Sequence, residues 1–175
     1  MGRIISLYGV IAGVTVAVLM RIAMTLFPEG GTAGMVAGFS SMIIALSFVF
    51  VGIKRYRDVE LGGVIRFWQA LGVGFGIAAI ASLFYVAAWE LYLYFTNYTF
   101  MDDYTRIALE QAQKSGKSAS EIARLAQEMD GYKALYANPF SRMAVTLMEI
   151  SPVAFVMPVI SATLLRNTGF MPAKT

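Results

Sequence analysis

The sequence predicts an all-α fold: a bundle of four transmembrane helices with an amphipathic helical hairpin between the third and fourth spans. Two observations lead to this prediction, namely four long apolar stretches and a charged segment between the last two of them. The composition supports it, because the 175 residues are 58% hydrophobic and 14% charged, with a mean hydropathy of +0.64. Soluble domains average about 45–50% apolar and about 25% charged residues. We expect one membrane domain over residues 1–175.

The four predicted spans cover residues 4–27, 32–53, 67–95 and 140–165. A helix needs roughly 20 apolar residues, at a rise of about 1.5 Å each, to cross about 30 Å of hydrocarbon. Proline and glycine in the turn at residues 28–31 end the first span and allow a tight reversal. Asn138 and Pro139 mark the start of the fourth span.

The hairpin is predicted over residues 99–137, outside the apolar stretches. Residues 99–102 and 118–121 each match the capping box, in which a serine or threonine starts a helix and an acidic residue reaches back. Apolar residues then recur at helical spacing and define one face. This face packs against the other helix of the hairpin, rests on the lipid, or meets a partner.

Orientation follows from the rule that short cytoplasmic loops are rich in lysine and arginine. The linker after the second span is the most basic short segment, with Lys54, Arg55, Arg57 and Arg66. We therefore expect this linker and both termini in the cytoplasm, and residues 96–138 on the opposite side. The termini agree through Arg3, Arg166 and Lys174.

Small residues at four-residue spacing predict where the spans contact one another. In lipid, helices associate by close packing, which small side chains permit. The predicted contact positions are Gly9, Gly13, Gly34, Gly38, Gly72 and Gly76.

The ionisable residues Arg21, Glu90 and Glu149 lie inside the predicted spans. Counted along the helices, they lie about 9, 8 and 12–14 Å below the outer ends of their spans. A charge near the bilayer centre costs about 2.5–3.5 kcal/mol, so pairing is expected. We predict an Arg21–Glu149 ion pair with Glu90 nearby, and a carbonyl freed by Pro152 as a further polar partner. This buried charge cluster is either a structural clasp or a site for a proton, an ion or an anionic lipid headgroup.

The sequence offers few groups for catalysis, because it contains neither cysteine nor histidine. Thiolate and imidazole are therefore absent as nucleophile, base or metal ligand. We predict no catalytic residues, no cofactor and no metal site. The net charge of +3 is explained by residues facing a membrane surface. Since no nucleic-acid-binding motif accompanies it, we expect no nucleic-acid partner.

Residues 39–58, with the shorter segments 136–139 and 149–153, resemble a bacterial membrane family known as domain of unknown function forty-one ninety-nine. The resemblance extends over nearly the whole chain. It implies a four-span protein of the bacterial inner membrane, and it brings no established activity or catalytic residues. The basic end of the long segment, residues 54–58, is interpreted as a positive-inside anchor, with a binding site at the inner face as the alternative.

These observations favour a non-enzymatic accessory, scaffold or regulatory subunit of a membrane assembly. Its partners would be the lipid bilayer and either another membrane protein or further copies of this chain. The alternative is a small carrier for ions or lipids that works through the charge cluster. A membrane enzyme with Glu90 or Glu149 as base is a third hypothesis, with less in the sequence to support it.

Overall fold

The computed structural model describes residues 1–28 and 30–173. These residues form six α-helices, one π-helical turn and no β-strand, which confirms the predicted all-α class. The α-helices are α1 (Gly2–Leu26), α2 (Gly31–Arg55), α3 (Phe67–Phe95), α4 (Phe100–Lys114), α5 (Ala119–Ala137) and α6 (Pro139–Leu165). The π-helical turn, Tyr56–Glu60, continues α2. Two residues used above, Glu29 of the predicted turn and Lys174, lie outside the described residues.

Four of the helices are long and apolar enough to cross a membrane: α1, α2 with its π-helical turn, α3 and α6. Their bounds agree with the predicted spans to within a few residues. Helices α4 and α5 form the predicted hairpin between the third and fourth spans. We call the side of the bundle that carries α4 and α5 the hairpin end, and the opposite side the termini end.

Helix α3 lies at the centre of the bundle. It packs extensively against α1 and α6 and also contacts α2, while α2 packs against α1 and α6. In the described part of the chain, α1 and α6 make no extensive contact, so they occupy opposite corners. Most of the side chains buried between the helices are apolar, and Leu46, Val49, Ile53 and Ile77 are wholly buried. Packing of this kind holds membrane helices together.

Three of the predicted contact glycines, Gly9, Gly13 and Gly76, lie where α1 meets α3. A Cβ atom built on Gly9 would be 2.7 Å from the Cβ of Ile80, and one on Gly13 would be 2.5 Å from the Cγ of Phe84. Real Cβ atoms essentially never come this close, so the two backbones approach only because glycine occupies these positions.

The other three positions, Gly34, Gly38 and Gly72, do not bring two spans of this chain into close contact. A Cβ atom on Gly38 would have nothing within 4 Å, and those on Gly34 and Gly72 would meet only ordinary or distant neighbours. Four-residue spacing identifies residues that share a face, but it does not show whether a neighbouring helix extends that far. Here the first ten residues of α2, 31–40, include none that is buried.

The hairpin helices pack on each other and on the hairpin end of the bundle. Thr105, Ala112 and Met129 are buried, and Lys133 forms an ion pair with Asp102 at 2.8 Å. The capping box at residues 118–121 is present in full. The one predicted at 99–102 is wrong, because the Thr99 hydroxyl instead donates to the carbonyl of Thr96 at 3.1 Å.

Candidate functional site

The principal ion pair of the hairpin end joins Glu90 of α3 to Arg142 of α6. Arg142 Nε donates to Glu90 Oε1 at 2.7 Å, and its Nη2 donates to Glu90 Oε2 at 2.5 Å. The exposed fractions of the two side chains are 7% for Arg142 and 20% for Glu90. A two-point pair of this geometry satisfies both charges where water is scarce.

Arg142 also ties the hairpin to the bundle. Its Nη1 donates to the carbonyl of Tyr136 in α5 at 2.8 Å, and its guanidinium lies 5.0 Å from the ring centroid of Tyr98. Tyr98 has φ of 58°, a conformation that is uncommon for an aromatic residue. The turn between α3 and α4 therefore holds a strained residue that brings its ring against the arginine.

Glu149 lies apart from this pair and has a neutral partner. Tyr85 Oη donates to Glu149 Oε2 at 3.2 Å, and no cationic side chain of the described residues pairs with this carboxylate. Tyr85 is buried, whereas Glu149 is exposed at the side of the bundle. The carboxylate also affects Tyr136, whose phenol pKa is raised to about 12, first by burial and then by the charge of Glu149.

An aromatic cluster connects these groups to the hairpin. The Trp89 ring lies against Tyr92 and Phe100, at centroid distances of 5.4 and 4.8 Å, and Phe100 stacks on Tyr136 at 6.3 Å. The indole Nε1 of Trp89 is buried and has no hydrogen-bond partner among the described residues. The cluster holds α4 and α5 against the end of α3.

The predicted ion pair between Arg21 and Glu149 of the same chain is not formed, so this prediction was wrong. Arg21 is exposed, and its guanidinium lies 5.6 Å from the ring centroid of Tyr92 on α3. Among the described residues it forms no ion pair. The two residues cannot meet because α3 lies between α1, which carries Arg21, and α6, which carries Glu149.

Pro152 does not contribute to a charge cluster either. The carbonyl that this proline leaves without a helical donor is that of Met148. The neighbouring Ser151 hydroxyl donates to this carbonyl at 2.9 Å. Helix α6 is continuous through both Pro152 and Pro158. Pro158 packs against Gly74 of α3.

A shallow groove of about 510 Å³ opens on the surface beside the Glu90–Arg142 pair. Its lining is mainly apolar, and its polar members are Glu90, Tyr94 and Tyr98. The lining residues are Leu83, Val86, Ala87, Glu90, Leu91, Tyr94, Tyr98 and Met143. Its size lies within the range of about 300–1,000 Å³ that small-molecule sites occupy.

At the termini end, Arg57 forms a second polar centre. Its side chain is 0% exposed and donates to the carbonyls of Phe170 and Met171 at 3.0 and 2.5 Å. It also pairs with Asp58 at 2.6 Å, and Asp58 pairs in turn with Lys54. The π-helical turn places Arg57 on the inner side. We call Lys54, Arg57 and Asp58 the C-terminal latch.

The latch changes the interpretation of the basic linker. Arg55 and Arg66 are exposed, as a positive-inside anchor requires. Arg57 is not, because it holds the segment after α6 instead of facing lipid headgroups. The described residues contain no group of three side chains suited to a metal ion.

Comparison with protein-family models matches residues 7–167 to the family described as "Protein of unknown function (DUF4199)". The chain belongs to this family. Comparison with curated proteins and with solved structures finds no match.

In this DUF4199 protein, the segments on which the resemblance rests contain the C-terminal latch, one partner of Arg142 and the partner of Tyr85. Residues 39–58 include the C-terminal latch, residues 136–139 include Tyr136, and residues 149–153 include Glu149. Two side chains of the site, Arg142 and Tyr85, were not predicted from the sequence. The sequence did hold a signal for Arg142. It lies near the start of the fourth span and Glu90 lies near the end of the third, so the two have similar depths in the membrane and could have been predicted to pair.

Proposed function

We propose that this DUF4199 protein is a non-enzymatic accessory subunit that binds another membrane protein through its second helix. The observation that carries the proposal is the open half of α2, residues 31–40, which includes no buried residue. The remainder of α2 is well packed. The bundle is thus closed at the termini end and open beside α2 at the hairpin end.

The open half of α2 has the features of a helix-packing surface. Gly34 and Gly38 continue, at four-residue spacing, the row of Met42 and Leu46, both of which are buried in the bundle. The face that forms the core therefore extends beyond the helices that cover it. A Cβ atom on Gly38 would have no neighbour within 4 Å, and one on Gly34 would meet only Phe27, so this face lets another helix approach closely.

The test compares two glycines that have open space around them. Gly38→Leu blocks the proposed surface, and Gly72→Leu is the matched control on α3. A Cβ atom would have no neighbour closer than 4.0 Å at either position. SDS unfolding of both variants checks that the remainder of the leucine side chain leaves the fold unchanged. We expect a stoichiometric partner to copurify in mild detergent with the Gly72→Leu variant and to be lost from the Gly38→Leu variant. A partner retained by both variants, or by neither, would contradict the proposal.

We also propose that the protein resides in the bacterial inner membrane with the hairpin outside and both termini in the cytoplasm. The basic linker supports this orientation, since Arg55 and Arg66 are free to face a cytoplasmic surface. The chain lacks cysteine, so single cysteines can be placed at will. A membrane-impermeant thiol reagent should label Lys117→Cys, at an exposed hairpin position, in intact cells and should not label Val64→Cys until the cells are opened. The reverse pattern would refute the orientation.

A second function, lipid handling, is supported by the groove beside Glu90 and Arg142. Its apolar lining suits acyl chains, and its volume is sufficient for part of one lipid. A retained lipid that disappears when Leu91→Trp fills the groove, with no partner protein bound, would favour this function over the accessory role.

A further inference from the structure

Two ionisable residues of the spans, Arg21 and Glu149, have no partner of opposite charge among the described residues. Arg21 has only the ring of Tyr92, and Glu149 has only the hydroxyl of Tyr85. Glu90, by contrast, forms an ion pair with Arg142 through two hydrogen bonds. One positive and one negative charge are therefore left over, in a part of the molecule where an unpaired charge is costly.

These two charges cannot meet within one copy of the chain. Arg21 is on α1 and Glu149 is on α6, at opposite corners of the bundle with α3 between them. Both side chains are exposed, so both are available to a neighbouring molecule. A surface with an unpaired cation and another with an unpaired anion are complementary to each other.

We propose that the chain self-associates, with Arg21 of one copy forming an ion pair with Glu149 of the next. The contact joins two different surfaces, the α1 corner and the α6 corner. It is therefore of the head-to-tail type, which closes into a ring or extends as a row. The partner is a second copy of this chain.

The levels of the two residues allow this contact. Arg21 lies five residues before the end of α1 at Leu26, and Glu149 lies ten residues after the start of α6 at Pro139. At about 1.5 Å per residue they are about 8 and 15 Å from the hairpin end. A long, flexible arginine side chain can cover the difference of about 7 Å. Headgroup contact alone would satisfy Arg21 but would leave Glu149 without a cation.

The absence of cysteine from the sequence makes the contact accessible to disulfide mapping. Val18 shares a helix face with Arg21, and Val145 shares one with Glu149. At about 1.5 Å per residue they are about 12 and 9 Å from the hairpin end, a difference that fits within the Cα–Cα separation of about 4.4–6.8 Å in a disulfide. Differently tagged copies carrying Val18→Cys or Val145→Cys are coexpressed, and the native membranes are oxidised. We expect a disulfide between the two tagged copies and none between copies of the same kind. A chain with both cysteines should give a ladder of oligomers.

Charge reversal tests the ion pair itself. Arg21→Glu in the Val18→Cys copy should weaken the association at least about 30-fold, as loss of a buried interfacial pair does. Glu149→Arg in the Val145→Cys copy should then restore the disulfide, which also shows that both variants fold. Arg106→Glu, at an exposed hairpin position, is the control and should change nothing.

Four results would overturn the inference. They are the absence of a disulfide between the two kinds of copy, disulfides only between copies of the same kind, a disulfide to a different protein, and no restoration of the disulfide when Arg21→Glu is combined with Glu149→Arg. The inference goes beyond the proposed accessory role and does not depend on it. A chain that remains single but keeps its partner through Gly38 refutes the self-association alone.

Discussion

The ion pair between Glu90 and Arg142 gives the sharpest test of how the hairpin end is held together. Glu90→Gln keeps the shape of the side chain and removes its charge, so Arg142 stays buried without a counter-charge. Removing one member of a buried pair costs about 3–5 kcal/mol. With Arg142 only 7% exposed, water cannot replace the lost partner. We expect the free energy of unfolding to fall by about this amount.

The double variant Glu90→Gln with Arg142→Met separates the pair from its surroundings. It removes both charges, so it should cost less than the sum of the two single variants, with a coupling of about 0.5–3 kcal/mol. What it still loses is the bond from Arg142 to the carbonyl of Tyr136 and the contact with the Tyr98 ring. The hairpin should therefore remain loosened in the double variant.

The assay is unfolding of the purified protein in mixed micelles by increasing SDS, followed by circular dichroism. Arg106→Met serves as control, since its ion pairs with Asp103 and Glu110 lie on the exposed face of α4. Exposed pairs contribute little, so this variant should unfold like the parent. If Glu90→Gln also unfolds like the parent, or if the two single variants add without coupling, the pair does not hold the hairpin end.

Three further predictions concern other parts of the chain. Gly13→Ala should destabilise the protein by about 1–3 kcal/mol, since the new Cβ would be 2.5 Å from the Cγ of Phe84. Gly38→Ala should leave stability unchanged or raise it slightly, because a Cβ there has no neighbour within 4 Å. SDS unfolding measures both variants. Arg57→Met should reduce stability by at least about 2 kcal/mol and expose residues 166–171 to protease, while Arg55→Met should do neither. The Ser118 hydroxyl and backbone N–H hold the pKa of Glu121 below its usual value of about 4.3, so the capping box should be intact above that pH and lost as the pH falls through the lowered pKa. A carbon-13 NMR titration of Glu121 checks this, and an ordinary pKa would refute it.

The spans were predictable because their signal is local. Length and apolar composition are properties of consecutive residues, and the four helices begin and end within a few residues of their predicted bounds. The capping box at 118–121 was equally local. The one at 99–102 failed because Thr99 has helical backbone angles, φ −75° and ψ −9°, whereas a capping residue has non-helical ones, and the Thr99 hydroxyl donates to the carbonyl of Thr96.

The charge partners were less predictable, because a partner depends on which helices are neighbours. Depth along the spans suggested a meeting of Arg21, Glu90 and Glu149. In the bundle, Glu90 instead forms an ion pair with Arg142, and Arg21 and Glu149 lie at opposite corners. Likewise, composition identified Arg57 as one more basic residue of a linker. Its burial follows from the π-helical turn that directs it toward the segment after α6.

The sequence by itself determined that the chain forms four membrane-length helices and a capped hairpin, since solvent preference and helix ends depend on residues close together in the chain. Only the tertiary structure decided which glycines lie in contacts and which charges form pairs. Those outcomes depend on the order of helices around α3 and on how far each neighbour extends. Spacing along one helix carries no information about either quantity.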